Sequence, residues 1–462
     1  MDISDTQASR IVREALRATP DTFGADALAH ARRCLLDYLS CAFEALPLPW
    51  STQAAGLADP AATGAHVVGR AAPRALAQAA FANAVAGHGL VREDMHAGSV
   101  AHLGVVVWPT VLALSERHAV SGAQALAAAV VGYETGARIG RAVITRELAR
   151  LFRPTGLVGP FAAAMAGARV MGLDEAQALH AFALAGNCCA GLNQWAYTGG
   201  SEMYFHPGFV VRNALACLDL ARLGAQASAS ILEGEAGFFQ AYARAPLADP
   251  IRLFADGKAE IAQVFNKPAP ACNFAQTPCQ AALRALGRVP KGRRITAVRI
   301  ETTHAAVAYP GCASAGPFEH ALQAKMSILY GVAAVLARGA IEEDNYRRLD
   351  DPEIARLVDA TTLARDEAFT RAFPARQGAR VALALDDGST VQAELDDVAA
   401  AGDALIRERF RRAASQVLGA ERALRIEQMV DGYEHEPDAG ALARLCAAPA
   451  HHTTPGMEIT TP

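Results

Sequence analysis

The sequence predicts a mainly α protein in which a smaller α+β domain is inserted into a large all-helical domain. Residues 1 to about 265 form one helix-like segment after another, with apolar residues three and four positions apart. Strand-like stretches appear after residue 265, and helix-like sequence returns from about residue 401. We therefore predict a helical domain over 1–265 plus 401–462 and an α+β domain over 266–400.

Length and composition agree with this class. A chain of 462 residues is too long for one compact core, and its 52% hydrophobic content, largely alanine, favours closely packed helices. The net charge of −4 gives no general attraction to nucleic acid or to a membrane surface, so we predict neither as a partner.

We expect neither a signal peptide nor a membrane span. No apolar run approaches the roughly 18 residues of a membrane span, and the N-terminal stretch is charged and amphipathic, unlike a signal peptide. The nine cysteines have no regular spacing, which is typical of reduced thiols in a cytoplasmic protein. We expect the tail after about residue 450 to be an exposed extension.

The helical segments can be located from their apolar periodicity. Ser121 and Asp174 stand where N-caps are expected for two of them. The clearest helical segments are 26–44, 121–140, 173–192 and 208–224 before the change in texture, and 324–339 and 351–362 after it.

Two stretches predict strands. Residues 294–303 alternate apolar and charged side chains, and residues 380–395 form two β-like runs joined by Asp387-Gly388. The Asp-Gly pair is a strong hairpin signal because its turn requires a residue with positive φ.

The candidate active site is the segment GHGLVREDMHAGSVAHLG, residues 87–104. It interrupts alanine-rich and valine-rich helical sequence with a dense polar run, which comprises His88, Arg92, Glu93, Asp94, His96, Ser99 and His102. A carboxylate and an imidazole in one cleft can share general base and general acid roles. We therefore predict catalytic roles for Asp94, His96 and His102, and substrate-binding roles for His88 and Ser99. The alternative is that Asp94 caps the following helix and the histidines bond to backbone.

Metal and cofactor motifs are missing. The three histidines are eight and six residues apart, unlike common zinc ligands, and neither a phosphate-binding loop nor a complete dinucleotide fingerprint is present. We predict no metal and no cofactor.

Lys267 is the fourth catalytic candidate. Only four of the 43 basic residues are lysines, and Lys267 precedes a proline at the predicted domain junction, where clefts form. An ammonium can release a proton, whereas a guanidinium cannot. The alternative is an ordinary exposed lysine.

Four further residues are predicted to bind substrate. Arg153 and Thr155 occupy a turn before a helix, where an arginine can clamp a carboxylate, and His206 precedes a Pro-Gly pair at the start of another helix. Tyr330 lies in the inserted domain. The alternatives are an exposed Arg153 with Thr155 as a helix cap, and a core tyrosine at 330.

The chain resembles the MmgE/PrpD family, which includes 2-methylcitrate dehydratase, cis-aconitate decarboxylase and iminodisuccinate epimerase. The resemblance follows an ordered series of motifs along nearly the whole chain. The series includes CLLDYLSCA (34–42), FANAVAGHG (81–89), RPTGLVGPFAAAMAGARVMGLD (153–174), HPGFVVRNALACLDLARLG (206–224), VFNKPAPACNFAQ (264–276), KMSILYGVA (325–333) and RERFRRAASQVL (407–418).

The resemblance implies a helical domain with a smaller lid domain, a homodimer, no cofactor, and a pocket between the domains for a small di- or tricarboxylate. Its site positions correspond to Asp94, His102 and Lys267. The chain departs from the pattern in three places. His96 stands where threonine is frequent, Arg153 replaces a histidine, and Met203 replaces a lysine of decarboxylase-like members.

These features together predict a cofactor-independent lyase for a small polycarboxylate. His102 or Lys267 would move the proton next to a carboxylate, and Asp94 would orient the imidazole. We favour dehydration, because an acid and a base on opposite sides of a substrate suit elimination of water. The alternatives are epimerisation of a dicarboxylate, decarboxylation of the cis-aconitate type and, from another class, a non-catalytic carboxylate-binding protein.

Overall fold

The computed structural model describes residues 6–24, 26–255 and 257–449, and it confirms the prediction of a mainly α protein. The predicted tail after residue 450 lies outside the described residues. The helices before residue 250 are α1 (Gln7–Arg17), α2 (Pro20–Phe23), α3 (Ala27–Ala45), α4 (Pro49–Gly56), α5 (Leu76–His88), α6 (Gly104–Arg117), α7 (Gly122–Val143), α8 (Arg146–Leu151), α9 (Pro154–Met171), α10 (Glu175–Gly186), α11 (Trp195–Thr198) and α12 (Glu202–Arg222).

These helices pack closely around small side chains. Helix α9 lies against α7, α6 and α12, and α12 also covers α5. A side chain at Gly132 would meet Ala166 Cβ at 2.9 Å, so glycine sets how near α7 and α9 approach. The predicted N-caps are confirmed, because the Ser121 and Asp174 side chains accept hydrogen bonds from the backbone N–H groups three residues on.

The first part of the chain is not all-helical, which corrects that part of the prediction. It contains β1 (Pro60–Ala65) and the two-residue strands β2 (Met95–His96) and β3 (Val264–Phe265). Strands β2 and β3 pair antiparallel, with Met95 opposite Phe265, although these two residues are 170 positions apart in the sequence. Such short strands have no alternating pattern in the sequence. Their pairing brings the polar segment next to Lys267.

A four-stranded sheet forms in the second part of the chain. Its order is β5-β4-β6-β7, with β4 and β5 parallel and the other neighbours antiparallel. The predicted strand and hairpin are confirmed, and Gly388 takes the positive φ of the turn. The strands are β4 (Ile295–Thr302), β5 (Thr361–Arg365), β6 (Ala379–Leu385) and β7 (Thr390–Leu395).

The helix predicted over 351–362 ends earlier than expected. Helix α17 stops at Asp359, and β5 begins at Thr361, where two β-branched residues favour extended backbone. The helices of this part are α13 (Gln276–Leu286), α14 (His304–Ala308), α15 (Ala321–Met326), α16 (Ile328–Arg338), α17 (Pro352–Asp359) and α18 (Glu367–Ala372), followed by α19 (Asp403–Leu418), α20 (Ala420–Asp431) and α21 (Gly440–Leu445).

The C-terminal helices return to the N-terminal ones. Helices α19 and α20 lie against α3, where the Phe43 and Phe410 rings are 6.0 Å apart. Ion pairs join the same helices, since Arg33 pairs with Asp403. The domain boundaries stay a prediction. In the part of the chain that is described, no helix has both the length and the apolar character needed to cross a bilayer.

Candidate active site

The polar segment of residues 87–104 lies in a break between two buried helices. Helix α5 ends at His88 and α6 begins at Gly104, and the charged and imidazole side chains between them are almost completely buried. Val91 and Val100 have φ angles of 57° and 53°. A β-branched residue in this left-handed region costs about 1 to 3 kcal/mol, which the surrounding packing must offset.

His102 is held in one tautomer by acceptors around a single ring nitrogen. Its Nδ1 lies 3.0 Å from the carbonyl oxygen of Asp94 and 2.9 Å from Glu93 Oε1. Both atoms accept hydrogen bonds, so Nδ1 carries the proton and Nε2 keeps a lone pair. Burial lowers the pKa of His102 to about 3, only partly offset by Glu93, and the nearby cations lower it further. The ring is therefore a neutral base.

His88 and Arg153 continue the same network. His88 Nδ1 lies 2.5 Å from Glu93 Oε1, so two imidazoles share this carboxylate oxygen. The other ring nitrogen of His88 faces Arg153 Nη2 at 3.3 Å and the Met203 sulfur at 2.8 Å. Arg153 also lies over the Trp195 ring at 5.5 Å. Burial lowers the pKa of His88, and the adjacent imidazoles hold the pKa of Glu93 well below its usual range despite burial.

Two lysines hold the backbone that precedes Glu93. Lys267 Nζ donates to the Val91 carbonyl, and Lys325 Nζ donates to the Leu90 carbonyl at 3.0 Å and to Glu343 at 2.8 Å. Both ammonium groups are fully buried. Burial lowers the pKa of Lys267 to about 8. The alternative of an exposed Lys267 is therefore wrong.

The Asp94 carboxylate points away from His102. Its oxygens accept hydrogen bonds from the Tyr133 hydroxyl and, at 3.1 Å, from the Gly104 N–H. A Cβ at position 104 would come within 2.6 Å of Asp94 Oδ2, so only glycine leaves room for this contact. Burial raises the pKa of Asp94 to about 7. The acid that contacts the His102 ring is Glu93.

His96 and Ser99 form a separate pair beside the segment. Ser99 Oγ and N–H approach His96 Nδ1 at 2.8 and 3.1 Å, and His96 Nε2 lies 2.8 Å from Glu260 Oε2. Arg141 also binds Glu260. These contacts join the β2–β3 region to α7, and neither residue lines the cavity described below.

The remaining predicted residues take different positions. Thr155 accepts the backbone N–H of His102 at 3.0 Å and so positions the base. His206 lies inside α12, which begins four residues before it, so the expectation of a helix start at His206 is wrong. Burial lowers the pKa of His206 to about 4, and Arg153 and His88 act in the same direction. The Tyr330 hydroxyl donates to the Asn345 and Arg348 carbonyls. These contacts favour the alternative that Tyr330 is a core tyrosine.

A cavity brings the two parts of the chain together around His102. The charged side chains in its wall are Arg153 and Lys267, which favours an anionic ligand. Arg153 Nε and Asn273 Oδ1 are buried and have no hydrogen-bond partner among the described residues. The wall is formed by Val91, Met95, Val100, His102, Arg153, Pro154, Trp195, Met203, Lys267, Cys272, Asn273, Phe274, Tyr309 and Met326.

Glu93, Asn273 and Tyr309 are site residues that were not predicted from the sequence. The adjacent acids Glu93 and Asp94 gave no signal as to which one faces His102. Asn273 lies in the same motif as Lys267, and this proximity in the sequence could have indicated that Asn273 belongs to the site. Tyr309 lies close enough to Arg153 for the guanidinium to influence the pKa of its hydroxyl, but nothing in its local sequence distinguishes it from Tyr330.

One group of described residues has metal-like spacing. The donor atoms of His88, Glu93 and His102 lie within 4.8 Å of one another. Two imidazole Nδ1 atoms already face one carboxylate oxygen, and Arg153 and Lys267 are adjacent cations. This arrangement fits proton sharing and anion binding better than a divalent cation. The prediction of no metal stays a prediction.

Comparison with known proteins covers both parts of the chain. Residues 9–250 match the MmgE/PrpD N-terminal domain and residues 269–435 match the MmgE/PrpD C-terminal domain. The chain is 29% identical to a cis-aconitate decarboxylase-like protein of Aspergillus oryzae, covering 92% of this chain and 94% of the relative. It is 26% identical to a cis-aconitate decarboxylase of Aspergillus terreus, covering 96% of each. The chain therefore belongs to the MmgE/PrpD family.

Proposed function

We propose that this protein is a lyase that removes water from a small di- or tricarboxylate by abstracting a proton next to a carboxylate. The observation that carries the proposal is a neutral His102, oriented by Glu93, in a cavity whose charged wall residues are Arg153 and Lys267. A base and a proton donor in one cavity are what β-elimination requires.

The reaction follows from these positions. His102 Nε2 takes the proton from the carbon beside a carboxylate, and the C–H electron pair forms the new C=C bond. The C–O bond breaks, and the leaving oxygen takes a proton from Lys267 Nζ and departs as water. Arg153 binds a carboxylate and disperses the negative charge that develops there. Proton exchange with solvent then restores the Lys267 ammonium and the neutral imidazole.

Decarboxylation is the second candidate, and the full-length relatives favour it. The two relatives above are named as cis-aconitate decarboxylases or similar proteins. Trp195, Met203, Phe274 and Met326 give the cavity an apolar side, where a carboxylate loses its hydration and releases CO2 more readily. Lys267 would then protonate the carbanion that remains.

Proton NMR in heavy water, combined with an assay of released CO2 and applied to a panel of di- and tricarboxylates, separates the candidates. Dehydration gives new alkene signals without CO2, and decarboxylation gives alkene signals with one CO2 per turnover. Epimerisation gives deuterium uptake with no alkene. Thermal stabilisation by carboxylates without any of these signals would overturn the proposal in favour of a binding protein.

We also propose that the enzyme acts as a homodimer without a metal or organic cofactor. The family resemblance suggests both features. Leu151 and Leu192 lie on neighbouring segments, since the Asn193 N–H donates to the Leu151 carbonyl, and their side chains are 64% and 65% exposed. Light scattering of the parent and of Leu192→Glu tests the dimer, which we expect the charge to weaken. Activity that persists after dialysis against EDTA tests the absence of a metal.

A further inference from the structure

We propose that Cys272 and Cys312 form a peroxide-sensitive thiol pair whose oxidation to a disulfide closes the active site, an inference that rests on the function proposed above for this cavity. Their sulfur atoms are 3.7 Å apart, and both residues are buried. Cys272 belongs to the cavity wall together with Lys267 and Arg153, so a molecule as small as hydrogen peroxide that enters the cavity reaches this thiol.

The surroundings of Cys272 favour the reactive thiolate. The Cys312 thiol, the Phe274 N–H and the cations Lys267 and Arg153 lower the pKa of Cys272 to about 7, although burial acts in the opposite direction. The pKa of Cys312 is raised by burial and by the Cys272 sulfur. One partner is thus the nucleophile, and the other is a protonated thiol held beside it.

The reaction needs only peroxide as oxidant. The Cys272 thiolate attacks one peroxide oxygen, the O–O bond breaks, and the departing hydroxide is protonated to water. Cys272 is now a sulfenic acid. Cys312 Sγ attacks the Cys272 sulfur, the S–O bond breaks, and this second hydroxide leaves as water with the Cys312 proton. Two thiols are oxidised to one disulfide, and one peroxide is reduced to two waters.

Closure of the disulfide moves the cavity wall. A disulfide requires a sulfur separation of about 2.05 Å, so the two sulfurs must approach by well over 1 Å. Each cysteine is tied to cavity residues, since Asn273 and Phe274 follow Cys272 and the Cys312 N–H donates to the Tyr309 carbonyl at 3.1 Å. The approach therefore shifts Phe274 or Tyr309.

A second cysteine pair provides the matched control. Cys188 and Cys217 have sulfurs 3.9 Å apart, but neither residue lines the cavity. Oxidation there leaves the active site untouched. The experiment uses four proteins: the parent, C188S, C312A and C312S, each treated with hydrogen peroxide and then with dithiothreitol.

Peptide mapping and turnover are measured in parallel. We expect a Cys272–Cys312 linked peptide in the parent and in C188S, with turnover lowered about 100-fold and restored by dithiothreitol. In C312A and C312S we expect no linked peptide and a Cys272 sulfenic acid that dimedone traps. Two substitutions of Cys312 are used in case one of them does not fold. The peptide map of the parent tests disulfide formation even if neither variant folds.

Three outcomes would overturn the proposal. In the first, peroxide leaves both thiols free in the parent. In the second, peroxide oxidises the chain irreversibly without forming the linked peptide. In the third outcome the linked peptide forms and turnover of the parent does not change.

Discussion

One carboxylate decides which nitrogen of His102 carries the proton. Glu93 Oε1 lies 2.9 Å from Nδ1, and the Asp94 carbonyl adds a second acceptor on the same side. Without the carboxylate, the tautomer with the proton on Nδ1 is less favoured, and Nε2 is less often the free base. The charge of Glu93 also stabilises the imidazolium that forms during proton abstraction.

Replacing Glu93 and Asp94 separately tests which acid serves His102. We expect Glu93→Gln to lower kcat about 100-fold with little change in KM, because the support of the base is lost. We expect Asp94→Asn to keep most of kcat and to lose about 1 to 3 kcal/mol of stability, since its contacts are with Tyr133 and Gly104. Steady-state kinetics and urea denaturation of both variants provide the measurement. The reverse pattern of kcat losses would contradict the assignment.

The pH profile reports the two proton-transfer groups. His102 must be neutral, and its lowered pKa of about 3 keeps it so at all but very acid pH. Lys267 must be protonated, and its lowered pKa of about 8 removes the donor as the pH rises further. We expect kcat/KM to be flat across the middle range and to fall above about pH 8.

Lys267→Arg checks the origin of the alkaline limb. A guanidinium stays charged throughout this range but does not release a proton, so we expect lower kcat and no fall near pH 8. Lys291→Arg, at an exposed lysine, serves as the matched control and should keep the parent profile. An unchanged alkaline limb in Lys267→Arg would show that another group is the donor.

The site residues could be predicted from the sequence only as far as their segments. The crowding of polar residues between His88 and His102 and the scarcity of lysine pointed to the right chain segments. The direction of each side chain could not be predicted from the sequence, because the left-handed backbone at Val91 and Val100 changes the orientation of the residues between them. Glu93 therefore faces His102, while Asp94 and His96 face other partners.

The loop before Glu93 is fixed by a buried ion pair from helix α15. Lys325 and the Glu343 carboxylate are 2.8 Å apart, and each side chain has almost no exposure. Lys325 also holds the Leu90 carbonyl. This pair thus connects the later part of the chain to the backbone of the active site.

Breaking the pair from one side should be costly. We expect Lys325→Met to lose about 3 to 5 kcal/mol of unfolding free energy, because it leaves the Glu343 carboxyl buried without its cation. The double variant Lys325→Met/Glu343→Met should recover much of this loss, since apolar side chains fill the same space. Urea denaturation of the single and double variants measures the coupling. Losses that simply add would contradict a coupled buried pair.

The elements show which patterns a sequence reveals locally. The β6–β7 hairpin was predictable because Asp387-Gly388 sets its turn within a few residues. The β2–β3 pairing was not, because its partners come from distant parts of the chain. The end of α17 before β5 was also missed, since the helical periodicity of 351–359 runs directly into Thr361.

The C-terminal helices support the packing of the whole molecule. Helix α19 packs on α3 next to the core, and Arg409 donates to the Pro268 carbonyl at 2.6 Å, directly beside Lys267. The C-terminal segment therefore supports both the helical core and the catalytic lysine.

Truncation tests this dependence. We expect a chain ending at residue 400 to lose cooperative unfolding, because the buried faces of α3 around Phe43 become exposed. Circular dichroism during thermal and urea unfolding gives the measurement. A fragment 1–400 that unfolds cooperatively at the Tm of the parent would contradict the predicted domain over 1–265 plus 401–462.

The central claim is that His102, in its neutral form, removes the proton from a small polycarboxylate. The most direct measurement is turnover of the best substrate by His102→Gln, followed by proton NMR in heavy water. We expect alkene formation and deuterium exchange at the reacting carbon to fall together by at least about 100-fold, with folding unchanged. If His102→Gln kept the exchange rate and turnover of the parent, His102 would not be the base, and this account of the site would be contradicted.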